Sequence, residues 1–420
     1  MATEKSVLQR PRQLSGSQRA SVFDRTVQKI TKHYFDPAFN GTNWPRVAKE
    51  SRERIVAIEE LDQFELAMHE LVRSLRTSHT GFFHESVRRV PARLAIGASF
   101  RKAEENGISA WVVQDVHEGG PAHCAGLKPL DVFVAINGSG IAPPDQPMLP
   151  MGAAAELTVR RGSETVKMQI NVPLPRSRKQ PYAEPKAVTF STLANGVGYL
   201  KVSILPGLLG LDVARQIDSG FNSLTNCDRM ILDLRGHLGG GLGVLRLMSH
   251  LTPHKLPIGY TVTRRKAEAG YAKQNLRKLD RLPTDKPNIL AVLEMALRFL
   301  GRDESVLLVS EGLGRKKWHG QVVILTNEHT VSAGEMVCAF ARENNLARIV
   351  GSETAGRLIP GSGFKVGQGY LVIIPKAAYI TWGGQTFEGR GIVPDFVLPW
   401  SPEAHALGLD NQLERALSFL

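Results

Sequence analysis

The 420-residue chain is predicted to be a multi-domain α/β protein, with a helical N-terminal region, a β-rich middle and an α/β core. Three patterns predict this. Apolar residues recur at helical spacing between Ser21 and His79, short strand-like runs separated by glycine turns fill Leu94 to Met168, and buried-type strands alternate with helices from Thr189 onward.

Residues 1–17 are polar and read as a disordered tail. Val22, Phe23, Val27, Ile30 and Tyr34 mark the first helix, Asn43-Trp44-Pro45 opens the second with proline in its first turn, and Leu61 to Leu75 forms the third. This region is bounded at 18–90, and the β-rich region at 91–173. The Pro/Arg/Lys-rich stretch 174–188 reads as an exposed linker, and 189–420 as the core. Between Gly240 and Ser332 lie 332 − 240 = 92 positions, more than a compact core needs. The surplus, 266–317, is expected to form an inserted cap or lid, with a packing or dimerisation helix at Ile289–Leu297 as the alternative.

Four segments carry chemistry. Val331-Ser332-Ala333-Gly334-Glu335 stands between the apolar run Val322–Thr326 and a helical pattern. A hydroxyl at such a turn is flanked by backbone N–H groups and a helix dipole that can stabilise an oxyanion. Ser332 with Glu335 is equally a capping box. Asp233-Leu234-Arg235-Gly236-His237-Leu238-Gly239-Gly240 runs from a buried strand into glycines that allow close backbone approach. It lacks the spacing and the Lys-Ser/Thr of a phosphate loop. Ser78-His79 ends the helical region, and Glu388-Gly389-Arg390-Gly391-Ile392-Val393-Pro394-Asp395 lies near the C-terminus.

In this order, from about Val22 to Val397, the segments resemble the C-terminal processing peptidases and their tricorn-type relatives. These are serine peptidases with a helical N-terminal region, a PDZ domain and a crotonase-like ββα core. The resemblance implies Ser332 as nucleophile, with Gly239, Gly240 and Ala333 lending N–H groups to the oxyanion hole. The processing peptidases place a lysine 25 residues after the serine. Here 332 + 25 falls on Arg357, which cannot give up its proton and is assigned to substrate binding. The tricorn-type branch uses a Ser-His pair and a glutamate, matched by Ser78, His79 and Glu388. His79 is therefore expected to be the general base, with Ser78 and Glu388 orienting it and Lys365 and Lys376 as reserve bases. Leu94-Ala95-Ile96-Gly97 and Gly119 to Gly138 resemble a PDZ domain. Leu94, Ile96 and Gly97 stand where that domain binds peptide, and the glycine-led loop is matched only approximately.

The expected activity is hydrolysis of peptide bonds in unstructured polypeptides. The alternative is a catalytically inactive protein on the same fold that binds a peptide or hydrophobic ligand. No cofactor and no metal are expected. The formal charge of +12 favours acidic partners in principle. Its basic clusters, Arg176–Lys179, Arg264–Lys266 and Arg315–Lys317, sit in expected loops without a nucleic-acid-binding signature, so nucleic acid is not an expected partner. No apolar run spans a bilayer, and a homo-oligomer is left open. The polar start at Met1 and three unpaired cysteines lead to the expectation of a cytoplasmic protein, with an exported form whose signal has been removed as the alternative.

Overall fold

The computed structural model describes residues 11–85, 89–105, 107–173, 186–299, 305–314, 318 and 320–420. The expected linker falls mostly outside these, as do residues 1–10 and the clusters Arg176–Lys179 and Arg315–Lys317. The fold is mixed α/β with several sheets.

The expected tail ends early. Ser15 caps the helix Gly16–His33, its hydroxyl accepting from Gln18 N–H, and Leu14 is buried. The helices Gly16–His33, Trp44–Val56 and Leu61–Arg73 turn apolar faces inward onto a three-stranded antiparallel sheet. Its central strand Tyr370–Pro375 lies between Gly81–His84 and Gly361–Gly367. Phe23, Trp44, Phe64 and Met68 thus share one core with Val366, Tyr370, Val372 and Ile374. The N-terminal region is completed by a hairpin from near the end of the chain.

Residues 98–171 form an antiparallel sheet with its own core, including Phe100, Phe133, Leu157 and Ile170. Residues 186–420 build a six-stranded sheet in the order Val188–Thr192, Gly198–Val202, Arg229–Asp233, Gln321–Thr326, Arg348–Gly351, Phe396–Val397. Only the first pair is antiparallel. Side chains alternate across it. Val322 and Ile324 pack on the face covered by the helices Leu211–Ser223, Val244–His250 and Ala333–Glu343, whereas Val323 and Leu325 meet the helix Asn411–Leu417.

The 266–317 segment is not a freestanding cap. Its strands Arg277–Leu279 and Val306–Val309 join a sheet with Pro257–Thr263 and Ala377–Thr381, and Ala291 and Met295 of the helix Asn288–Phe299 enter the main core. The rest of that helix leaves Ile289, Leu290, Val292, Leu293 and Leu297 exposed.

Candidate active site

Ser332 closes the loop after the strand Gln321–Thr326 and stands immediately before the helix Ala333–Glu343. Its φ of 53° is left-handed, a conformation that serine adopts only when its surroundings impose it. The imposing contacts can be named. Asn327 Oδ1 accepts from Gly236 N–H and His329 N–H, Thr330 Oγ1 donates to Leu234 O, and Val331 N–H donates to His237 O. The turn before the nucleophile candidate is thereby bonded to the glycine loop.

Glu335 does more than cap. Fully buried, it accepts from Ser332 N–H at 2.9 Å, Thr354 Oγ1 at 2.7 Å, Gly356 N–H at 2.7 Å and Arg357 N–H at 2.9 Å. Burial raises its pKa, opposed by these four hydrogen bonds. The carboxylate ties the turn at Ser332 to the segment 354–357. The helix-start pattern was legible in the sequence, but the reach to residues 20 positions away was not.

In the glycine loop, Gly239 packs so closely on Ser332 that a Cβ there would lie 2.8 Å from the serine Cβ and 3.3 Å from Oγ. Gly240, at φ 140°, lies against the carbonyl of Leu205 and has no room for a side chain. One expectation changes. Gly239 N–H donates to His237 Nδ1 at 2.9 Å, so it is already engaged, while the N–H groups of Gly240 and Ala333 carry no hydrogen bond among the described residues. His237, which the sequence reading passed over, is fully buried and holds this loop. Its place between glycines in the strand-following motif was the available signal.

His79 comes from the loop after the helix Leu61–Arg73. Tyr34 donates to Thr77 Oγ1, Thr80 Oγ1 to Thr77 O, and Asn40 Nδ2 to the carbonyls of Leu75 and Arg76. His79 itself has φ 55°. Its Nδ1 lies 2.9 Å from Ser78 Oγ, and Ser78 N–H donates to Glu388 Oε1 at 2.6 Å. Glu388 Oε2 accepts from Leu358 N–H and Ile359 N–H at 3.1 and 3.2 Å. Loss of hydration lowers the His79 pKa, Glu388 raises it and Arg357 lowers it.

Ser78, His79, Glu388 and Arg357 are therefore together, linked through residues 354–359 and Glu335 to Ser332. Ser332 and His79 share no hydrogen bond here. Such catalytic contacts often tighten only around substrate. The reserve bases lie elsewhere: Lys365 is 80% exposed with Glu85 at 3.9 Å, and Lys376 exerts its field on His33. Ile96 is fully buried, Leu94 is half-buried, and Gly97 ends the short helix Ala92–Ile96 with φ 72°. The Ile96 side chain is thus core and not a free binding surface. The same helix carries Arg93, whose Nη2 donates to Gly236 O at 3.1 Å in the glycine loop.

Among the described residues no cluster of His, Cys, Asp and Glu could hold a metal, and no helix is long and apolar enough to cross a membrane.

The chain is similar to known proteins. Tricorn protease homolog 1 of Streptomyces coelicolor is 24% identical over 94% of this chain, which spans only 34% of that protein. A carboxyl-terminal-processing protease of Picosynechococcus is also 24% identical, over 93% of this chain and 86% of its own length. The solved photosystem II D1 C-terminal processing protease shares the fold, with a TM-score of 0.57 at 18% identity over 91% of this chain and 93% of that one. Residues 196–398, which hold the glycine loop, Ser332, Glu335 and Glu388, match the model of peptidase family S41.

Proposed function

We propose that the chain is a serine peptidase that hydrolyses peptide bonds in flexible polypeptides, with Ser332 as nucleophile and His79 as general base. The observation that carries this reading is the Glu388 carboxylate. It joins Ser78, the hydrogen-bonding neighbour of His79, to the backbone of Leu358 and Ile359, next to the segment that shares Glu335 with Ser332. Base and nucleophile turns are thus held in one frame.

With Nδ1–H donating to Ser78 Oγ, Nε2 of His79 is the proton acceptor. Ser332 Oγ attacks the peptide carbonyl carbon as its proton passes to Nε2. The C=O π electrons move to oxygen, which takes hydrogen bonds from Gly240 and Ala333 N–H. Collapse expels the amine, which takes the proton from His79. Water then releases the acyl group by the same steps. Arg357 remains charged throughout and is placed to bind a carboxylate or shape the pocket.

Residues 91–173 are read as a PDZ-type domain that tethers the polypeptide, and residues 189–420 as a crotonase-like core. The tricorn-type assignment of the base rests on Ser78, His79 and Glu388 together with the arginine at 357. The test is covalent. A fluorophosphonate probe is expected to label Ser332, with labelling and hydrolysis of a chromogenic peptide both lost in Ser332→Ala while the circular dichroism spectrum is unchanged. Turnover persisting in that variant contradicts the assignment, and a folded wild-type protein that neither labels nor cleaves is a binding protein on this fold.

A further inference from the structure

Two basic elements that the catalytic chemistry leaves unused converge on one surface. The helix Gly16–His33 carries Lys29, Lys32 and His33 toward its C-terminal end, and the short helix Arg264–Ala269 carries Lys266. Arg264 joins them. Its Nη1 donates to Thr31 O at 2.8 Å, its guanidinium lies 5.2 Å from the Phe39 ring, and Glu268 pairs with it at 2.8 Å. Its charge is accordingly spent on docking the short helix.

From the other side the strand Gly361–Gly367 supplies Phe364. That ring stacks on His33 at 4.7 Å and lies 5.9 Å from Lys29 Nζ. The local field is positive: His33 is held below the ordinary imidazole range by desolvation, then by Lys29, Lys32 and Lys376, with no carboxylate acting the other way. Lys29, Lys32 and Lys266 form no ion pair among the described residues, and Lys32 is exposed.

This surface adjoins the site. Tyr34, the residue after His33, donates to Thr77 two positions before His79. The strand that carries Phe364 starts at Gly361, where a Cβ would come within 2.9 Å of the His79 Cβ. Three residues along an extended strand is roughly 10 Å.

We propose that Lys29, Lys32 and Lys266 form a docking surface for acidic segments of the polypeptide being cut, beside Phe364, which stands roughly 10 Å along its strand from the end that adjoins His79. The inference rests on the peptidase reading for its occupant. A row of lysine point charges with one aromatic ring, already covered by His33, suits flexible carboxylates. It offers neither free stacking platforms for bases nor an exposed apolar face for lipid.

The experiment compares two unstructured polypeptides of equal length, one with a Glu/Asp tract beside the cleavage site and one with a Ser/Gly tract. Wild type is expected to cleave the acidic chain with a kcat/KM about tenfold higher at low salt, the advantage shrinking as salt rises. The triple variant Lys29→Gln/Lys32→Gln/Lys266→Gln is expected to lose that advantage while keeping fluorophosphonate labelling and short-peptide hydrolysis. Binding of a fluorescein-labelled acidic peptide to Ser332→Ala, read by anisotropy, gives the same comparison without turnover. Anisotropy that responds to the triple substitution therefore supports the surface even where the peptidase reading fails. Equal handling of both polypeptides by wild type overturns the proposal. So does a preference that survives in the variant, or charge-dependent binding confined to duplex DNA or anionic phosphatidylserine vesicles.

Discussion

At His79 three influences set the proton affinity, and their signs give a measurable profile. Desolvation and Arg357 lower its pKa while Glu388 raises it, with a net value below the ordinary imidazole one. A general base works when neutral, so kcat/KM is expected to rise with pH through a midpoint below about 6.5. Arg357→Gln removes a positive neighbour and moves the midpoint up, and Glu388→Gln moves it down. His79→Ala is expected to cost at least about a hundredfold in kcat, whereas Lys365→Ala costs little. The opposite ranking, read from initial rates, would indicate a lysine base. At this scale much was legible. Ser78, His79, Ser332 and Glu388 could be proposed because their motifs resemble those of a peptidase family, and the structure brings Ser78, His79 and Glu388 together. Arg93 could not, because it acts by bonding to a backbone carbonyl of a distant loop, which imposes no recognisable spacing.

Elements position those residues, and the strand Arg229–Asp233 does so through a buried charge. Asp233 accepts from Arg235 at the backbone, Nε and Nη2, and from Tyr199, while Arg235 Nη1 continues to Asp410 at the start of the helix Asn411–Leu417. Burial would raise the pKa of Asp233, but Arg235, Lys201 and the Tyr199 hydroxyl hold it at about 2. A depressed carboxylate contributes stability above its unfolded pKa of about 3.9 and loses it as pH falls through about 2. Asp233→Ala leaves the half-buried Arg235 short of its main partner. It is expected to lower unfolding free energy by about 3 kcal/mol in urea titrations near neutral pH, with much less difference from wild type near pH 2. A full difference at low pH would argue for packing rather than charge. The strand and its glycine loop were readable because an apolar run followed by glycines has few other uses. For the segment 266–317 the sequence left a lid and a packing helix both open, because its short strands pair with partners far away in sequence, which no local pattern encodes.

For the whole molecule, the sheet of residues 98–171 is attached to the core by a few polar contacts. Arg93 reaches Gly236 O, Gln114 Oε1 lies 3.1 Å from His329 Nε2, and Arg101 donates to Trp400 O. Replacing residues 91–173 with a short linker is expected to weaken cleavage of long polypeptides more than of short chromogenic peptides, because only long chains gain from a second binding site. Equal loss on both would show that the region braces the glycine loop through Arg93 instead. The N-terminal helices were visible from their periodicity. Their dependence on the hairpin Gly361–Pro375 was not, since each strand alone reads as part of the core.

That shared core has a consequence in time. The helices that present His79 cannot bury Phe64 and Trp44 fully until Tyr370, Val372 and Ile374 arrive, and these follow Ser332 in the chain. A growing chain on the ribosome exposes His79 early, the serine turn much later, and the hairpin that brings the two regions together later still. The two regions are therefore joined only once residues 361–375 have been made, and a chain that stops short of them holds His79 and Ser332 without the hairpin that links them.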